Sequence, residues 1–240
     1  MTRLLLLHGW DHRNYTRRGC GDAWENRSVL VQGLARHFDV IRFNFPGFCG
    51  EPDPPRPWRM EDFVELVDGI VRRESPDVAL GYSFGGAVLL AWKHRSGDRR
   101  VRGVLVSPAI VRRYEGRSVS LPDSVRRVVP DAVRDWGALL YLRLRRRNPY
   151  YTRATRVMRR TYRNIVALDL RDRLRQVDHP LCLIYGERDT ATPPGLVADW
   201  LDRESLPHRL HVIPGGDHDI GGTHTEQVVR LVRDCAGTIS

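Results

Sequence analysis

Val78-Ala79-Leu80-Gly81-Tyr82-Ser83-Phe84-Gly85-Gly86-Ala87 is an apolar strand that breaks at a glycine, carries one serine through a tight turn and runs straight into a helix. Ser83 is thereby presented rather than packed, because Gly81 and Gly85 lack the side chains that would collide where strand and helix cross. Phosphate-binding loops share such glycines but require a Lys-Ser or Lys-Thr pair after the last one, and here Gly86 is followed by Ala87-Val88-Leu89. Glycine-flanked serines also occur in ordinary strand-to-helix turns, so the rest of the chain must decide what Ser83 does.

Working outward, the same strand-then-glycine grammar recurs three times. Arg3-Leu4-Leu5-Leu6-Leu7 is a short continuous apolar run that ends in His8-Gly9-Trp10, as a buried parallel strand followed by an abrupt turn would. Leu181-Cys182-Leu183-Ile184-Tyr185-Gly186-Glu187-Arg188-Asp189 delivers a carboxylate just past its strand. Arg209-Leu210-His211-Val212-Ile213-Pro214-Gly215-Gly216-Asp217-His218 delivers an imidazole. Ser83 as nucleophile, His218 as base and Asp189 as orienting acid are the parts that acyl transfer requires. His224 is the runner-up for the base. Asp217 and Asp219 compete with Asp189, but their adjacency to His218 gives poor geometry for gripping that ring. His8 reads as a structural hydrogen-bonding residue of its turn.

With these motifs in order, the chain resembles the α/β-hydrolase superfamily: Gly81-Tyr82-Ser83-Phe84-Gly85 as nucleophile elbow, with triad order serine, aspartate, histidine. His8-Gly9-Trp10 resembles the family's oxyanion loop and Asn44-Phe45-Pro46-Gly47-Phe48 the loop after the next strand. Asn44 stands where that loop usually carries aspartate, and Cys49-Gly50-Glu51 replaces its usual glycine and serine. The resemblance implies an oxyanion hole from the backbone N–H groups of Trp10 and Phe84. Trp10, Tyr82 and Trp136 are the candidate substrate contacts. The family's first two antiparallel strands are expected to have no counterpart in these residues, and the expected fold is a minimal, mostly parallel sheet of about six strands with helices on both faces. Dehalogenases and epoxide hydrolases of the superfamily use a carboxylate at the elbow, so Ser83 leaves acyl chemistry. The first expectation is hydrolysis of a small or medium carboxylic ester. A thioesterase, lactonase, carbon–carbon bond hydrolase or acyltransferase would need the same residues, and a non-catalytic ligand-binding protein could keep the fold.

Helix evidence is best over Met60–Glu74, where Phe63, Val67, Ile70 and Val71 form one apolar stripe. Strands are expected over 40–45, 78–80 and 101–106, with a helix over 193–202. Between Ser107 and Val177 the alternation stops and helical segments follow one another at 122–129, 131–147 and 152–166, the longest with Trp136, Leu139, Leu140 and Leu144 on one side. The expected organisation is a core of residues 1–109 and 176–240 with a helical, arginine-rich cap over 110–175. The loop 11–23 is longer than a simple turn requires and is expected to wall one side of the pocket.

Composition bounds the rest. The chain has 240 residues, 41% hydrophobic and 28% charged, as in a globular protein with one ordinary core. No apolar stretch reaches the roughly 18 to 20 residues that cross a bilayer, and the leucine run lacks a signal-peptide pattern; a cytoplasmic protein without a membrane partner is expected. Of the net charge of +10, residues 110–175 alone carry +12, eighteen arginines against six acids. Lys93 is the only lysine among 39 basic residues, which points to arginine-biased coding. No recognition helix, zinc-finger spacing or RNP-like aromatic motif accompanies this charge, so nucleic acid is not expected as a partner, whereas an anionic acyl substrate would suit the insert. A monomer or homodimer is expected. Cys20, Cys49, Cys182 and Cys235 show no C-x-x-C or Cys/His spacing, so neither a disulfide framework nor a metal site is expected; Cys182 reads as core and Cys49 as a free thiol. No cofactor is expected.

Overall fold

Six strands lie parallel in one sheet in the order β2-β1-β3-β4-β5-β6: β1 Arg3–Leu7, β2 Asp39–Arg42, β3 Val78–Tyr82, β4 Arg102–Val106, β5 Cys182–Gly186 and β6 Arg209–Ile213. The structure, a computed structural model, describes residues 1–15, 20–111, 149–166 and 168–237. From β1 the chain winds to one side to form β2, then crosses back to place β3 on the other side of β1 and continues outward. The winding direction therefore switches between β1 and β3, and a crevice opens at their carboxyl ends.

Alternation along the strands explains the layers. Leu5, Leu7, Ala79, Leu105, Leu183 and Tyr185 point to one face, packed under the helices Met60–Glu74 and Phe84–Ser96. Leu4, Leu6, Val78, Leu80, Val104 and Ile184 point to the other, under Ser28–Ala35 and Thr225–Gly237. Burial on both faces is why the central strands read as continuous apolar runs.

Met60–Glu74 has the bounds its stripe predicts, with Phe63, Val67, Ile70 and Val71 all buried. Its first turn is closed by Asp62, whose carboxylate accepts the Arg59 N–H at 2.7 Å. β2 ends at Arg42, short of 40–45, and beyond it the Phe45 N–H donates to the His8 ring. The helix expected over 152–166 is two, Pro149–Thr152 and Arg156–Val166. Thr155 separates them by accepting the Met158 N–H on its hydroxyl, a cap that restarts the helix. The helix expected over 193–202 runs Pro194–Glu204. The segments 122–129 and 131–147, with Trp136, lie outside the described residues. Among the described residues no helix is long and apolar enough to cross a membrane.

The cysteine reading is corrected. Cys20 pairs with Cys49 and Cys182 with Cys235 in two disulfides, with Cα–Cα separations of 4.7 and 6.1 Å. Neither pair has a local spacing signal, since the partners stand 29 and 53 positions apart in the chain. Topology makes them neighbours: Cys20 and Cys49 follow the adjacent strands β1 and β2, and Cys235 lies on the helix that covers the Cys182 face. His211 stands beside the second pair, all three donors falling within 4.8 Å of one another, but both sulfurs are committed to the bond.

Candidate active site

β3 ends at Tyr82, and the next residue turns through φ 51°, ψ −111° before the helix begins at Phe84. That backbone conformation is costly for a residue with a side chain, on the order of 1–3 kcal/mol, and persists only where the surroundings impose it. They do so here. The Ser83 N–H donates to the Val106 carbonyl at 2.8 Å, and its own carbonyl accepts from Ala87 at 3.2 Å and Ala109 at 3.0 Å. A Cβ at Gly81 would overlap the Gly85 carbonyl, and one at Gly85 would overlap the Leu7 backbone, so the tight crossing of helix over strand admits glycine only.

The imidazole of His218 spans the two other groups. Its Nε2 lies 3.0 Å from Ser83 Oγ and its Nδ1 lies 2.8 Å from Asp189 Oδ2. Asp189 is 3% exposed in the loop after β5, where Oδ1 accepts the N–H groups of Ala191 at 2.9 Å and Thr192 at 2.8 Å. The Thr192 hydroxyl donates to Oδ2 at 2.7 Å. Burial works against the charge on Asp189, but the hydrogen bond and charge of His218, joined by the two Thr192 donors, outweigh it and hold the carboxyl below its ordinary value. An ionised Asp189 accepts at Nδ1, so the proton is assigned there and the Nε2 lone pair faces the serine hydroxyl.

The competing acids are occupied elsewhere. Asp217 accepts the Asp219 N–H at 2.8 Å, and Asp219 pairs with Arg27 at 2.7 Å. His224 bonds to the Thr223 hydroxyl. His8 spends both ring nitrogens on structure, accepting the Phe45 N–H at 2.9 Å and donating to the Gly9 carbonyl at 2.8 Å.

Two backbone donors flank the serine. The Phe84 N–H is the first of its helix and has no intrahelical acceptor. Leu7 pairs with Gly81, which brings the turn after β1 level with Ser83; a Cβ at Gly9 would meet Ser83 Cβ at 3.3 Å, and Trp10 follows directly. Among the described residues neither the Trp10 nor the Phe84 N–H donates to a protein acceptor.

Residues 4–231 match the alpha/beta hydrolase family. The chain belongs to that family. It is 25% identical over 240 residues to a pimeloyl-[acyl-carrier protein] methyl ester esterase of Nitrosomonas europaea, covering 90% of this chain and 88% of that one. It is 22% identical over 256 residues to a putative non-heme chloroperoxidase of Synechocystis sp., covering 95% and 89%. The esterase EaEST of Exiguobacterium antarcticum superposes with a TM-score of 0.68 at 14% identity over 99% of this chain and 92% of that one, a likeness of fold.

In this alpha/beta hydrolase a pocket of about 460 Å³ opens onto Ser83 and His218. Trp10 lines it, and so do Asp11, His12 and Arg13 from the long loop after β1. Tyr82 also lines it, 1% exposed and with its hydroxyl engaged by the His218 loop. Trp136 lies outside the described residues. Sequence reasoning passed over Thr192, Arg27, Tyr150 and Tyr162, all pocket-lining. An acid followed three positions later by threonine is a legible turn signal for Thr192. The other three come from distant segments with no shared local pattern.

Proposed function

We propose that this chain is a serine hydrolase acting on a small or medium carboxylic ester through an acyl-enzyme on Ser83. The supporting observation is the unbroken line from Ser83 Oγ through His218 to the buried Asp189, with hydrogen-bond distances of 3.0 and 2.8 Å at the wall of one pocket. In this reading His218 Nε2 takes the hydroxyl proton as Oγ attacks the ester carbonyl, then returns it to the leaving alcohol. Asp189 holds the tautomer and offsets the imidazolium charge. The Trp10 and Phe84 N–H groups receive the negative charge that develops on the carbonyl oxygen, a donor pair worth roughly 3 to 4 kcal/mol of barrier for each member. Water then repeats the sequence on the acyl-enzyme.

The pocket volume suits a small-molecule substrate, and the likeness to the Nitrosomonas methyl ester esterase favours an ester over the other acyl chemistries. Residues 110–175 are proposed as the cap, on the ground that Tyr150 and Tyr162 from the described part of that segment wall the pocket. The test combines a fluorophosphonate probe with a short-chain p-nitrophenyl ester. Wild type should be labelled at Ser83 and turn over the ester, and Ser83→Ala should remain folded and lose both. Turnover retained in Ser83→Ala, or an unlabelled wild type beside a labelled serine-hydrolase control, overturns the reading.

A further inference from the structure

We infer that Tyr82 is the positioning residue that holds the base loop against the nucleophile, so that one side chain couples Ser83 to His218; the inference rests on the serine-hydrolase reading above. Tyr82 is the last residue of β3, and its backbone delivers Ser83 into the turn. Its side chain serves the other partner. The hydroxyl donates to the His218 carbonyl at 2.9 Å and accepts the Gly221 N–H at 3.1 Å, closing the turn that carries the imidazole. The ring packs against that same turn: a Cβ at Gly221 would meet Tyr82 Cε2 at 2.8 Å. On the ring's face lies the Arg27 guanidinium, 4.3 Å from the centroid, and Arg27 pairs with Asp219, the neighbour of His218.

The base needs this support. His218 follows Gly215, which has φ 70°, and Gly216, which packs against Gly186 and accepts the Arg188 N–H at 2.7 Å; the His218 side chain itself is 32% exposed. Glu187 takes the Gly215 N–H at 2.8 Å at the front of the loop, and Tyr82 takes its rear. Burial raises the phenol above its ordinary value, against the pull of Arg27, which keeps it protonated and donating throughout the neutral range. Without the hydroxyl, the His218 carbonyl and the Gly221 N–H lose their shared partner and the imidazole is free to drift from Oγ.

The experiment uses the full chain with Tyr82→Phe. Fluorophosphonate titration gives the active-site concentration; kcat and KM on a p-nitrophenyl ester and the second-order labelling rate are then compared with wild type. The expected result is a fall in kcat per titrated site and in labelling rate of about 10- to 100-fold, the scale of a small misplacement of reacting groups, with KM nearly unchanged. A purely structural role would lower the titrated fraction and leave kcat per site alone. Equal kcat per site and equal labelling rate in the variant overturn the inference while a labelled wild type leaves the hydrolase reading standing; an unlabelled wild type overturns both. Should Tyr82→Phe not fold, Arg27→Met releases the same turn from outside, and there a wild-type labelling rate overturns the inference.

Discussion

Mild acid should destabilise this protein through His8. The ring is 1% exposed, with Nε2 accepting the Phe45 N–H and Nδ1–H donating to the Gly9 carbonyl. A second proton has to sit on Nε2, where it faces the Phe45 N–H and turns an acceptor into a donor. Burial pushes the His8 pKa down from 6.5 to about 4, against the opposing pulls of the Gly9 carbonyl and of the charges on Asp22 and Asp11. The unfolded chain takes up this proton below about pH 6.5, whereas the folded chain refuses it until about pH 4. Between those values the unfolded state holds the extra proton, so stability falls as pH falls, by about 1.4 kcal/mol per pH unit. The loss approaches about 3 kcal/mol, a large share of the roughly 5–15 kcal/mol that folds an ordinary domain. Above about pH 6.5 this linkage contributes no slope. The assay is urea unfolding followed by tryptophan fluorescence across this range, for wild type and His8→Asn, whose side chain can still accept the Phe45 N–H without titrating. Burial also lowers His208, His12 and His179, and those contributions are common to both proteins, so the difference in slope isolates His8. Parallel slopes below pH 6.5 would refute a neutral, buried His8.

Asp189→Asn should lower kcat by about four orders of magnitude, because the amide no longer imposes the required tautomer on His218; turnover within tenfold of wild type on the ester would count against the relay. The Asp189 carboxyl is held below its ordinary value, so its contribution to stability is present at neutral pH and is lost as pH falls below the usual carboxylate range, a loss that Asp189→Asn should abolish. The two disulfides close loops of 29 and 53 residues, worth about 3–4 kcal/mol each in a chain-entropy account. Protein unfolded without reductant should show no free thiol, and reduction should lower its unfolding midpoint. Four free thiols would instead remove both bonds.

Legibility followed the range of the physics. The buried strands, the Met60–Glu74 stripe and the serine turn are local consequences of burial pattern and glycine sterics, and each appears where its pattern stands. Ser83, His218 and Asp189 were findable as candidates because each follows its own strand, and parallel strands end on one edge. The errors are of another kind. β2 stops at Arg42, and beyond it the Phe45 N–H goes to His8, in the turn after β1. The cysteines pair through adjacency that no spacing rule encodes. The Tyr82 hydroxyl meets the His218 carbonyl through the return of the chain 136 residues later.

The sequence by itself determined the fold class, the order of the three reactive groups and the strained turn, since strand burial, glycine geometry and chain order act between near neighbours. Tertiary structure alone decided which atoms meet: the 3.0 Å approach of imidazole to hydroxyl, the hold of Tyr82 and Arg27 on the base loop, and the sulfur pairings. Hydrogen bonds and packing contacts act over a few ångströms, and residues far apart in the chain come within that reach only when the sheet has set its register.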